Sequence, residues 1–92
     1  MNSVQNVLRQ YSESPIEINR GLCDHFSEAL IKEFNRVGIE ARQCVTPEDV
    51  ELPGHYWVET AEGRCYDAET PEGVFFWYEL PIFTRQLKNN IT

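Results

Sequence analysis

The sequence predicts an α+β domain in which N-terminal helices pack on a small antiparallel sheet, followed by a short helix. Three observations predict it. Up to Val37 the apolar residues recur at spacings of three and four, the period of a helical face. From Ile39 onward they sit in short β-branched and aromatic runs divided by turn residues. The length, 92 residues, suits one domain spanning 1–92 with a small core.

Val4, Val7, Leu8 and Tyr11 stand at i, i+3, i+4 and i+7. They predict a short helix from Asn2 to Ser12, with Asn2 or Ser3 as its cap. Ser14-Pro15 stops it, and Ile16 to Gly21 reads as a connector. The longest helix is expected over Asn19–Val37, with Asn19 available as a cap. Its core face would carry Leu22, Phe26, Ala29, Leu30, Phe34 and Val37. Gly38 tolerates the left-handed backbone that ends a helix.

Ile39–Thr46 reads as a first strand, with Ala41 and Cys44 on opposite faces, and PEDVELPG as a turn-rich loop. His55–Ala61 is rich in aromatic and β-branched residues and reads as a second strand. Glu62-Gly63 makes a tight hairpin turn, and Arg64–Glu69 returns antiparallel. Val74–Tyr78, VFFWY, fits either a fourth strand or an irregular covering segment. Pro81 suits a first helical position, with Ile82, Phe83 and Leu87 turned inward.

The formal charge is −7, with no basic footprint, which argues against a partner made of nucleic acid and against an anionic membrane surface. No stretch approaches the ~20 apolar residues that cross a bilayer. Three cysteines, an odd count, and an N-terminus without a signal-type apolar segment point to a reducing, cytoplasmic setting. Cys23, Cys44 and Cys65 include no close pair of the kind that binds zinc, so neither a metal nor another cofactor is expected.

Cys23 falls at the start of the longest helix, just after Gly21-Leu22. There the backbone N–H groups lack partners and the helix dipole is positive, which favours the thiolate. A cysteine nucleophile also needs a base, and the base needs an orienting group. His55, at the mouth of a strand after Pro53-Gly54, and Asp67, in the return strand, are the candidates. The hairpin brings their strands together. His25, two residues from Cys23 on the same helix, points to another side and reads as surface. Cys44 and Cys65 read as packing residues in strands.

At these residues the chain resembles the transglutaminase-like branch of the papain-like cysteine enzymes. The resemblance rests on RGLCDHFSEAL, VGIEARQCV, GHYWVET and CYDAETPEGV, in that order, and covers roughly Arg20 to Val74. It implies a papain-like, transglutaminase-like core, with Cys23 as nucleophile, His55 as general base and acid, and Asp67 as the orienting acid. It also implies acyl transfer or amide hydrolysis through a thioester. The family's larger members take an oxyanion donor from a longer chain before the cysteine. Here the candidates are the backbone N–H of Cys23 with the side chain of Asn19 or Gln10.

The expected function is therefore a small cysteine-dependent hydrolase or acyltransferase acting on an amide bond in a protein or peptide. Trp57, Tyr66 and Trp77 are candidate walls of the substrate cleft. The alternative is a non-catalytic, inhibitor-like module that grips a protein partner on the same fold. A homodimer through the Phe75–Phe83 segment is compatible with either.

Overall fold

The chain begins with two capping boxes. The Asn2 side chain accepts from the Gln5 amide at 2.9 Å, while the Gln5 side chain accepts from the Asn2 amide at 3.0 Å. The resulting helix α1 spans Ser3–Leu8. Ser14 and Glu17 repeat the exchange, with Pro15 at the first helical position, and start helix α2, Pro15–Gly21. The segment expected as a connector is thus helical, because Ser-Pro-Ile-Glu is a complete start signal. Helix α3 runs Cys23–Arg36. The helix expected to begin at Asn19 is divided at Leu22, whose backbone (φ −125°, ψ 15°) leaves the helical region. That break makes Cys23 the first residue of α3.

In the computed structural model, which describes residues 2–91, these helices precede strands β1 (Ala41–Val45), β2 (Tyr56–Thr60) and β3 (Cys65–Tyr66). The strands form one antiparallel sheet in the order β1-β2-β3. A 3-10 turn at Trp77–Glu79 and helix α4 (Pro81–Ile91) follow. Among the described residues this is an α+β fold with four helices and a three-stranded antiparallel sheet. No helix among them is long and apolar enough to cross a membrane.

Strand alternation divides the core in two. On one face of the sheet Val58 packs with Val4, Val7, Ile18, Phe26, Leu30, Phe34 and Ala68, joined by Ala41 and Tyr66. On the other, Trp57 and Cys65 pack with Leu80 and Phe83, joined by Cys44 and Trp77. Ala41 and Cys44 do lie on opposite faces. The second layer is built by VFFWY and α4. Val74 makes one antiparallel bridge to Cys65, after which the chain leaves the sheet, so this segment covers β3 and adds no fourth full strand. Two residues expected inward are exposed. Val37 lies beyond the last turn of α3, and Leu87 lies on α4 beyond the turn anchored by Phe83.

The β2–β3 hairpin pairs Val58 with Tyr66 and Glu59 with Cys65. Thr60 and Arg64 close a loop with a bond from the Thr60 amide to the Arg64 carbonyl at 2.9 Å, and Gly63 sits at φ 85°. This is a three-residue connection with a left-handed glycine, one residue longer than the expected tight turn. Gly73 is more constrained. Its φ is 75°, and a Cβ there would stand 2.8 Å from Arg64 Cγ and from the Tyr66 ring. Strain plus overlap should make Gly73→Ala cost about 2–4 kcal/mol. A urea midpoint unchanged from wild type would show that the loop relaxes freely.

Candidate functional site

His55 immediately precedes β2, and its backbone is clamped by Thr46 just past the end of β1. The Thr46 hydroxyl accepts from the His55 amide at 2.9 Å and donates to the Pro53 carbonyl at 2.8 Å. The Thr46 amide donates to the His55 carbonyl at 3.0 Å. The imidazole is held on its faces by aromatic rings: Trp57 is stacked at 6.2 Å between centroids, and Phe83 of α4 meets it edge-on at 5.8 Å. Backbone and ring are therefore fixed by different elements.

Asp67 follows β3. The hairpin register sets position 67 diagonal to position 55 on one face of the sheet, within reach of two extended side chains. His55 Nε2 lies 3.0 Å from Asp67 Oδ2, and the two residues are 1% and 2% exposed. The other oxygen, Oδ1, accepts from the Glu69 amide at 2.9 Å and from the Thr70 hydroxyl at 3.0 Å. A carboxylate that accepts at both oxygens requires Nε2 to carry the ring hydrogen. In the neutral ring this leaves Nδ1 as a lone pair. Nδ1 is buried and has no hydrogen-bond partner among the described residues. A buried polar atom left without a partner costs about 1–3 kcal/mol, so its retention calls for a reason.

Cys23 is half-buried at the first position of α3. Two contacts bracket it. The Gln43 side chain of β1 donates to the Asp24 carbonyl at 3.4 Å, holding the start of α3 against the sheet. The Asn19 side chain of α2 donates to Glu69 at 2.8 Å, holding the preceding helix against the Asp67 loop. Leu22, the N-cap, makes no side-chain bond to the first turn of α3, so those amides lack a side-chain cap. The other two thiols differ. Burial pushes Cys44 up and Cys65 up to about 11, with Glu59 adding to both.

The remaining candidates are placed as follows. Asn19 is buried, with one amide hydrogen committed to Glu69 and its Oδ1 unpartnered. Gln10 is exposed and lines a groove with His25, Glu28 and Lys32 on the outer side of α3. His25 is exposed, as read from its position. Trp57 and Trp77 stack at 5.6 Å and line a groove of about 320 Å³ with Cys44, Cys65, Phe75 and Phe76; Cys23 is not among its lining residues. Tyr66 lies on the opposite face of the sheet, tilted against Phe34 at 5.0 Å. Among the described residues no group of three or more His, Cys, Asp and Glu is arranged to hold a metal ion.

Sequence reasoning missed the supports. Glu69 receives both Asn19 and a two-pronged contact from Arg85 of α4, at 2.7 and 2.9 Å. Thr70 meets Asp67 from the far side of a tight turn, its hydroxyl accepting from the Asp67 amide at 2.8 Å. The Asp-Ala-Glu-Thr spacing signals such a turn; the Arg85 contact spans 16 residues and has no local signal. Comparison with models of known protein families, with curated proteins and with solved structures returns no match.

Proposed function

We propose that this chain is a cysteine-dependent hydrolase or acyltransferase with a papain-like, transglutaminase-like core, acting on amide bonds of proteins or peptides. The observation that carries the reading is the buried His55–Asp67 pair, whose bonding leaves Nδ1 as a free, buried lone pair. In the proposed reaction Nδ1 takes the Cys23 proton, giving a thiolate and an imidazolium held by Asp67. Sγ attacks the carbonyl carbon, and the oxyanion takes hydrogen bonds from the uncapped amides at the start of α3. The C–N bond breaks as the imidazolium protonates the departing amine, leaving a thioester. Water or a second amine then attacks, giving its proton to Nδ1 and releasing the thiolate.

The test compares iodoacetamide alkylation of each cysteine between pH 5 and 9 in wild type and His55→Gln. Cys44 and Cys65 serve as internal references because burial pushes both thiols up. Cys23 should react at least roughly tenfold faster than either at pH 6, and the His55 change should abolish the advantage. A Cys23 that titrates near ~8.5 in both proteins sinks the reading.

A second reading, a non-catalytic binding module on the same fold, is favoured by Phe75 and Phe76, 65% and 56% exposed beside the Trp77 turn. Cys23→Ser separates the two, since it abolishes catalysis and leaves binding intact. Sedimentation would reveal a homodimer built on the same segment.

A further inference from the structure

Glu69 touches each of the segments that feed the proposed site. Its backbone N–H donates to Asp67 Oδ1 at 2.9 Å. Its Oε2 accepts from Asn19, four residues before Cys23, at 2.8 Å. Both of its oxygens are held by the Arg85 guanidinium, at 2.7 and 2.9 Å. Asn19 is buried and its Oδ1 is unpartnered, so the one bond that its side chain makes is the bond to Glu69. A solvent-facing pair of this kind would be a surface ion pair of small value. Here the carboxylate is nearly covered, 11% exposed, and both it and the Asn19 amide are held at fixed positions.

The geometry points to Glu69 as a positioning residue: it sets the start of α3, and so Cys23, in register with the His55–Asp67 pair. The inference rests on the function proposed above. Without Glu69 the acid loop and the end of α2 have no side-chain hydrogen bond between them among the described residues. They can then move apart by the fraction of an ångström that separates a thiolate–imidazolium pair from two neutral groups. The charged group facing the Glu69 carboxylate is Arg85 on α4, which Asp67 also acts on. Those facing His55 are Asp67 and, in the proposed reaction, Cys23.

The experiment is the alkylation profile of Cys23 in the full chain for wild type, Glu69→Ala, Glu69→Gln, Arg85→Gln and Asn19→Ala, with circular dichroism to verify folding. Glu69→Ala should slow Cys23 alkylation at pH 6 about tenfold and move the midpoint of its pH profile upward. Glu69→Gln keeps an acceptor for Asn19 and should stay within about threefold of wild type. A purely structural role would lower thermal stability in both variants and leave the profile of the folded protein unmoved. A wild-type profile that is sensitive to His55 but unaffected by Glu69→Ala overturns the inference and leaves the proposed function standing. A wild-type profile indifferent to His55 overturns both. Arg85→Gln, like Glu69→Gln, keeps the acceptor for Asn19 and should also stay near wild type. Should Glu69→Ala fail to fold, Asn19→Ala, which removes the same bond from the other side, decides on the same profile: an unchanged midpoint overturns the inference.

Discussion

Asp67→Asn should slow Cys23 alkylation at pH 6 about 10- to 100-fold while leaving the fold in place. The size follows from what the carboxylate does. It accepts the Nε2 hydrogen of His55 at 3.0 Å in a site where both residues are shielded from water. A hydrogen bond to a charged group is worth about 1.5–3 kcal/mol, and one pKa unit is about 1.4 kcal/mol. Losing that support for the imidazolium should cut the thiolate population at pH 6 by about that 10- to 100-fold. The amide has nearly the shape of the carboxylate. Its oxygen can still accept from Glu69 and Thr70, which currently meet Oδ1 at 2.9 and 3.0 Å. That leaves the NH2 facing Nε2, which then has to accept, so the ring hydrogen moves to Nδ1 and the base is lost. Turnover of an amide substrate should fall further, by about 10⁴, as when the acid of a serine-protease triad becomes an amide. Alkylation within threefold of wild type would mean that Asp67 serves only its own turn.

Much of the framework around the candidate site was legible in the chain because its parts are local. Cys23 at a helix start, a strand after Pro53-Gly54 and a hairpin at Gly63 each rest on spacing or on residues with special backbone freedom. The two faces of the sheet followed from alternation, which put Trp57 and Val58 on opposite sides. The helix boundary was misplaced for an equally local reason. Apolar periodicity runs through Leu22 without interruption, while the Ser14–Glu17 box starts a helix whose register ends there. What could not be read was the support at long range. Arg85 meets Glu69 and Phe83 meets His55 only because α4 folds back over the sheet. VFFWY was ambiguous because a covering segment and a buried strand have the same composition.

The covering layer also carries the largest expected loss of stability. Phe83 is fully buried and meets His55, Trp57 and Trp77 edge-on at 5.8, 5.8 and 5.2 Å. Truncating such a ring removes its transfer free energy and leaves a cavity that two tryptophans and an imidazole cannot close, at about 3–5 kcal/mol. Stability of small domains is about 5–15 kcal/mol, so Phe83→Ala should lower the urea midpoint severely. The consequence for the site is separate from the loss of stability. With Phe83 gone, one side of the His55 ring opens to water while Asp67 still holds Nε2 and Thr46 still holds the backbone. Water reaching Nδ1 supplies the partner that the buried ring lacks. In Phe83→Ala protein that remains folded, Cys23 should lose part of its reactivity at low pH, because water admitted to the site screens the attraction between imidazolium and thiolate that holds the proton on the ring. Phe83→Leu, which keeps the site covered, should recover most of both properties. Loss of stability with full low-pH reactivity would assign α4 to the core alone; loss of both in Phe83→Ala, with recovery in Phe83→Leu, would make this layer the wall that keeps the base dry.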